Sequence, residues 1–112
     1  MARFITVKFR QAGVHFWPDA PEGSYLRYPH RHEFHFTVWL EVFHEDREVE
    51  FIALKEELQE ITGQFLKNAG SCEMVAVKVL DYLKLAYPGR GRRCWVEEDG
   101  ENGAYLEIEE DD

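Results

Sequence analysis

His30-Arg31-His32-Glu33-Phe34-His35-Phe36-Thr37-Val38-Trp39-Leu40-Glu41-Val42-Phe43 reads as a long strand. Its even positions are His30, His32, Phe34, Phe36, Val38, Leu40 and Val42, and its odd ones include Arg31, Glu33, Thr37 and Glu41. Successive side chains of a strand point to opposite faces, so the apolar set shares one side. Both histidines at the strand's start stand on that apolar side and point the same way. A histidine pair in this setting asks what the neighbouring elements bring to it.

Upstream, residues 3–11 also alternate, with Ile5, Val7 and Phe9 against Thr6, Lys8 and Arg10. That pattern predicts a half-buried strand. Between Gly13 and Pro29 the alternation breaks at Pro18, Asp19, Pro21 and Gly23, which predicts a loop. It is long for a chain of this size, and long loops kept in small domains are often functional. Downstream, 44–48 is a polar turn. Phe51, Leu54, Leu58, Ile61 and Phe65 then recur at helical spacing over 51–67. Asn68-Ala69-Gly70 ends that helix, and Ser71 suits the N-cap of a second with Val75, Val79, Tyr82, Leu83 and Ala86 as its buried stripe. Pro88-Gly89 stops it. Residues 92–97 and 104–109 predict two short strands about Asp99-Gly100-Glu101-Asn102-Gly103, and Glu109 to Asp112 an acidic, solvated tail. The order is β-β-α-α-β-β: an α+β domain over 1–112, with a four-stranded antiparallel sheet and both helices on one face.

The 112 residues fit one domain, and 45% hydrophobic content supports a packed core. There are 22 acidic residues against 13 basic, a formal charge of −9, which repels phosphate backbones and excludes nucleic acid as a first choice of partner. A small anionic ligand needs a local cation to overcome that field. Cys72 and Cys94 form no C-x-x-C pair and read as semi-buried structural thiols. No apolar run approaches a membrane span. A soluble, cytoplasmic protein without a membrane partner is expected.

Three of the five histidines share a place in this scheme. If the first two strands form a hairpin, His15 at the end of one lies beside His30 and His32 at the start of the other. Three imidazoles converging with a fourth position open form the ligand set of a catalytic Zn2+ site, which can polarise a carbonyl or hydroxyl.

Several short motifs fall around these histidines in a definite order. Ala12-Gly13-Val14-His15 precedes the loop and His30-Arg31-His32-Glu33-Phe34 follows it. Glu50-Phe51-Ile52-Ala53-Leu54-Lys55 opens the first helix, Ser71-Cys72-Glu73 opens the second, and Val96-Glu97-Glu98-Asp99 closes the third strand. In this order they resemble the F-x-A-x-H, H-G-H-x-[YF], D-F-x-x-L-K, P-T-x-E and V-x-E-T motifs of the 6-pyruvoyl- and 6-carboxy-tetrahydropterin synthases, the tunnel-fold family. The resemblance runs from about residue 4 to 108. It implies zinc on His15, His30 and His32, and a carboxylate at Glu98 that accepts paired N–H groups from the amino-pyrimidine edge of a pterin or purine-derived ligand. It places Glu73 as a second acidic residue near the pocket, where it equally suits the first turn of a capped helix. It further implies lyase chemistry of the tetrahydrobiopterin or queuosine pathways, and a homo-oligomer, a trimer or hexamer, in which sheet edges pair between subunits.

The departures bear on catalysis. Leu26 stands where the family has its cysteine, four residues before the first histidine of the pair; H-G-H is here H-R-H; and 61–70 contains no Asp-His pair. Glu22 and Tyr25 are the nearest loop residues able to move a proton. The alternative to a synthase is a catalytically inactive protein of the same fold that binds a pterin or purine nucleotide.

Overall fold

Alternating β-branched, aromatic and charged residues build the first two strands, β1 (Arg3–His15) and β2 (His30–Val42), in a computed structural model that describes residues 1–109. They pair antiparallel in a register that sets Val7 opposite Val38, Phe9 opposite Phe36 and His15 opposite His30. Two helices follow, α1 (Phe51–Phe65) and α2 (Cys72–Ala86), joined through a 3-10 turn at Leu66–Asn68. The chain then returns as β3 (Arg92–Glu98) and β4 (Asn102–Ile108). The sheet order is β1-β2-β3-β4, antiparallel throughout, which gives the expected β-β-α-α-β-β layout.

The core lies between the helices and one face of the sheet. Phe34, Phe36, Val38 and Leu40 of β2, Cys94 and Val96 of β3, Leu54 and Leu58 of α1, and Val75, Val79 and Leu83 of α2 are buried there. Each such side chain removed from water contributes about 1.5–3 kcal/mol. Both helices start on side-chain caps. The Glu50 carboxylate accepts from the Ile52 and Ala53 amides, and the Ser71 hydroxyl accepts from the Met74 amide.

The strands run further than their alternation suggested: β1 reaches His15 and β3 reaches Glu98, while β4 begins at Asn102. α1 ends at Phe65 rather than 67. Its buried stripe is Leu54, Leu58 and Thr62, with Phe51 exposed at the first turn and Ile61 only half-buried. Thr62 is tolerated inside because its hydroxyl donates to the Leu58 carbonyl at 2.8 Å. On α2, Cys72, Ala76 and Leu80 join the core and Ala86 is exposed. Of the acidic tail, residues 110–112 lie outside the described residues. Among the described residues no helix is long and apolar enough to cross a membrane.

Gly13 marks where β1 meets the core most closely. A Cβ there would stand 2.8 Å from Cε2 of Phe34 and 3.0 Å from Cβ of Leu66. Glycine lets the end of β1, and His15 with it, settle against the helix junction.

Candidate metal centre

Parity and register assemble the site. His15, His30, His32 and Glu98 all stand on the helix-facing side of the sheet, at one end of β1, β2 and β3. His15 pairs directly with His30, Gly13 with His32, and Phe34 with Glu98, so Glu98 is the diagonal neighbour of His32. The three imidazoles meet edge to face, with ring centroids 4.5, 4.9 and 5.0 Å apart. One ring nitrogen from each lies within 4.8 Å of the others.

The opposite nitrogen of every ring is occupied. Nδ1 of His15 meets the Gly70 carbonyl at 3.0 Å, Nδ1 of His30 meets the Tyr28 carbonyl at 2.8 Å, and Nδ1 of His32 meets Oδ2 of Asp99 at 2.7 Å. Carbonyls and ionised carboxylates only accept hydrogen bonds, so each Nδ1 carries a proton, and in the neutral ring Nε2 is the nitrogen that presents a lone pair. Nε2 of His30 and of His32 is buried without a hydrogen-bond partner. Imidazoles fixed through Nδ1–H, with bare Nε2 atoms converging, match what a metal-ligating histidine set requires. The residues fit a metal ion.

Asp99 is itself held. Its Oδ1 accepts from the Glu33 amide at 2.9 Å, its own amide donates to the Glu33 carbonyl at 2.8 Å, and its backbone is left-handed, with φ 57°. The hydrogen bond from His32, then that from the Glu33 amide, keeps the Asp99 carboxyl below its usual range. The sequence pattern marked Asp99 only as the residue standing for a threonine. Its contact with His32 spans 67 positions of chain, and no local signal announces it.

A cleft of about 710 Å³ opens beside the histidines. Cys72, Glu73 and Glu98 line it on one side, and Trp17, Leu26 and Met74 give it apolar walls. Glu73 is exposed in the first turn of α2. Cys72 proves to be part of the site as well as buried: its Sγ donates to Oε1 of Glu98 at 3.8 Å. Burial first, and the Glu98 charge second, push this thiol up to about 12. Cys94 lies in the core, its thiol also raised to about 12 by burial. Glu22 is exposed in the 16–29 loop; Tyr25, 70% exposed, sets its ring against His30 with centroids 5.5 Å apart. Neither lines the cleft.

Fold and site thus define an α+β protein with a three-histidine group, able to hold a metal ion, beside a mixed polar and apolar cleft. Compared with family models and with curated proteins, the chain finds no match among either.

Proposed function

We propose that the chain is a zinc protein of the 6-pyruvoyl- and 6-carboxy-tetrahydropterin synthase type, binding or acting on a pterin or purine-derived ligand in the cleft beside its histidines. The observation that carries this reading is the convergence of three Nδ1-anchored histidines, two of which, His15 and His30, line a cleft that also contains Glu98. The order of motifs along the chain supports it. His15, His30 and His32 would hold the metal, which when bound supplies a Lewis acid for a ligand carbonyl or hydroxyl. Trp17, Leu26 and Met74 suit the faces of a flat heteroaromatic ring, and Glu98 suits an edge carrying adjacent N–H donors. By the same resemblance, the free edges of β1 and β4 pair between copies in a trimer or hexamer, which light scattering tests.

A binding protein without turnover is the second reading, and Cys72 favours it. The one thiol in the cleft is held protonated, with a pKa of about 12, so at neutral pH it is a poor nucleophile and a poor base. Leu26, which lines the cleft where the family has its cysteine, supplies no proton. One experiment addresses both readings: zinc content of the purified protein, followed by pterin binding and turnover of dihydroneopterin triphosphate side by side. Zinc near one per chain with pterin binding supports the class, and turnover then separates enzyme from binder. Absence of both zinc and pterin binding refutes the assignment.

A further inference from the structure

The position of Glu98 does not suit a carboxylate that waits only for a ligand in the cleft. Its Oε2 lies 3.2 Å from Nε2 of His32, and its Oε1 lies 3.7 Å from Nε2 of His15. Those are the two nitrogens whose rings are already protonated on the far side, at Nδ1. A carboxylate turned toward two imidazole nitrogens needs a positive centre between them, either a second proton on a ring or a metal ion. The approach is not a hydrogen bond either, because Nε2 of His32 has no partner of hydrogen-bond geometry although Oε2 is within reach.

The spacing has a simple reading. With Zn–N of 2.0–2.1 Å and Zn–O of 2.0–2.2 Å, two ligand atoms on one tetrahedral ion lie about 3.4 Å apart. The approach of Oε2 to Nε2 of His32, 3.2 Å, is close to that value, and Nε2 of His15 stands 3.7 Å from the other oxygen of the same carboxylate. Oε1 also accepts from the Cys72 thiol, and Oε2, without that bond, is the oxygen nearer to a histidine nitrogen. The side chain is about one-third exposed, and it reaches the cluster from β3 while the histidines come from β1 and β2.

We propose that Glu98 is a fourth protein ligand, so that the metal site at rest is a closed set of three histidines and one carboxylate. The proposal rests on the metal part of the reading above and revises the role of Glu98 within it. A closed set leaves no open position, and a ligand entering the cleft gains access to the metal only by drawing the carboxylate away. An N–H-rich edge that hydrogen-bonds Glu98 does that directly. The site then opens in response to the ligand's own recognition chemistry, and not to any small anion that diffuses in.

The test uses Co2+ as a spectroscopic probe of the whole chain, with azide as a small anion that binds open metal positions. Wild type, Glu98→Gln and, as a control on the opposite face of the same strand, Glu97→Gln are titrated with Co2+ against a competing chelator. Glu98→Gln is expected to lose at least tenfold to a hundredfold in affinity, about what even supporting partners of a ligand command; Glu97→Gln should stay within about twofold, because its side chain points to the other face of the sheet and cannot ligate. Excess azide should leave the visible spectrum of the wild-type Co2+ protein unchanged and shift that of Glu98→Gln. Azide acting on wild type as readily as on the variant overturns the proposal, and that arm needs no substitution to fold. Equal or tighter Co2+ binding by Glu98→Gln also overturns it, as that is what a carboxylate merely paired with a protonated histidine predicts. Failure of Co2+ to bind wild type, or undiminished binding by His30→Ala/His32→Ala, sinks the metal reading itself, an outcome distinct from the other two.

Discussion

Replacing Gly13 with alanine adds one methyl group at the tightest point between β1 and the helix junction. The new carbon would sit 2.8 and 2.9 Å from two ring atoms of Phe34 and 3.0 Å from Cβ of Leu66, where carbons in good contact keep about 3.5–4.0 Å. Neither neighbour can swing away into solvent, since Phe34 is 0% and Leu66 1% exposed. Overpacking of this kind costs about 1–3 kcal/mol, and the smaller entropy loss of alanine in a strand offsets about 0.5–1 kcal/mol. A net loss of about 1–2 kcal/mol remains, a fall in Tm of about 5–10 °C for a domain of this size. The assay is thermal unfolding by circular dichroism in the presence of chelator, so that metal linkage does not mask the packing effect. Gly13 is also the ladder partner of His32 and lies two residues from His15. A displaced strand end therefore spreads the histidines, and affinity for a metal ion should fall in the same variant. An unchanged or raised Tm would refute the close-packing argument, and an unchanged affinity would show that the histidines do not depend on this seat.

Other outcomes follow from the same geometry. Asp99→Ala should weaken binding of a metal ion at the histidines by about tenfold to a hundredfold, because the Nδ1–H of His32 loses its acceptor, as competition against a chelator would show; rescue by Asp99→Asn, which keeps an acceptor oxygen, should be partial. The Arg90 guanidinium and the Phe43 amide hold the Glu48 carboxyl at about 2, below its ordinary 4.5. Its stabilising contribution is therefore present above pH 4.5 and lost as pH falls toward 2. Urea midpoints of wild type and Glu48→Gln should differ at pH 6 and converge near pH 2, and a gap that persists in acid counts against the pairing. Both thiols are raised to about 12, so iodoacetamide at pH 8 should label neither Cys72 nor Cys94 until urea unfolds the chain. Rapid labelling of Cys72 in the native state would contradict its burial against Glu98.

Much of this was legible in the sequence wherever parity or period carried the information. The even positions of β2 identified the buried face, and placing two histidines there with His15 across the hairpin was enough to bring the three together. The helix phase was less legible. Thr62 turns inward and Ile61 partly outward, because a hydroxyl bonded to the Leu58 carbonyl is as acceptable in the core as a methyl group. Helical spacing includes Phe51 in the stripe, yet it occupies the first helical position and is exposed. The Cys72 thiol and the Asp99 carboxylate were out of reach for a different reason. Their roles depend on how α2 and the β3–β4 turn seat against the strand ends, and those contacts join residues 26 and 67 positions apart.

The junction between the helices makes two bonds to the end of β1. The Ala69 amide donates to the Val14 carbonyl at 2.9 Å, and the Gly70 carbonyl receives the ring proton of His15. A connection between helices ordinarily accepts insertions and deletions more readily than the elements it joins. Here the chain length from Leu66 to Gly70 is part of the specification of His15. One residue added or removed would carry the Gly70 oxygen off its mark and free the imidazole to turn. Segments of unequal tolerance should therefore appear in an insertion scan read out by metal content. The exposed loop tip around Gly23 should accept extra residues with metal retained, and 66–70 should lose the metal before it loses the fold.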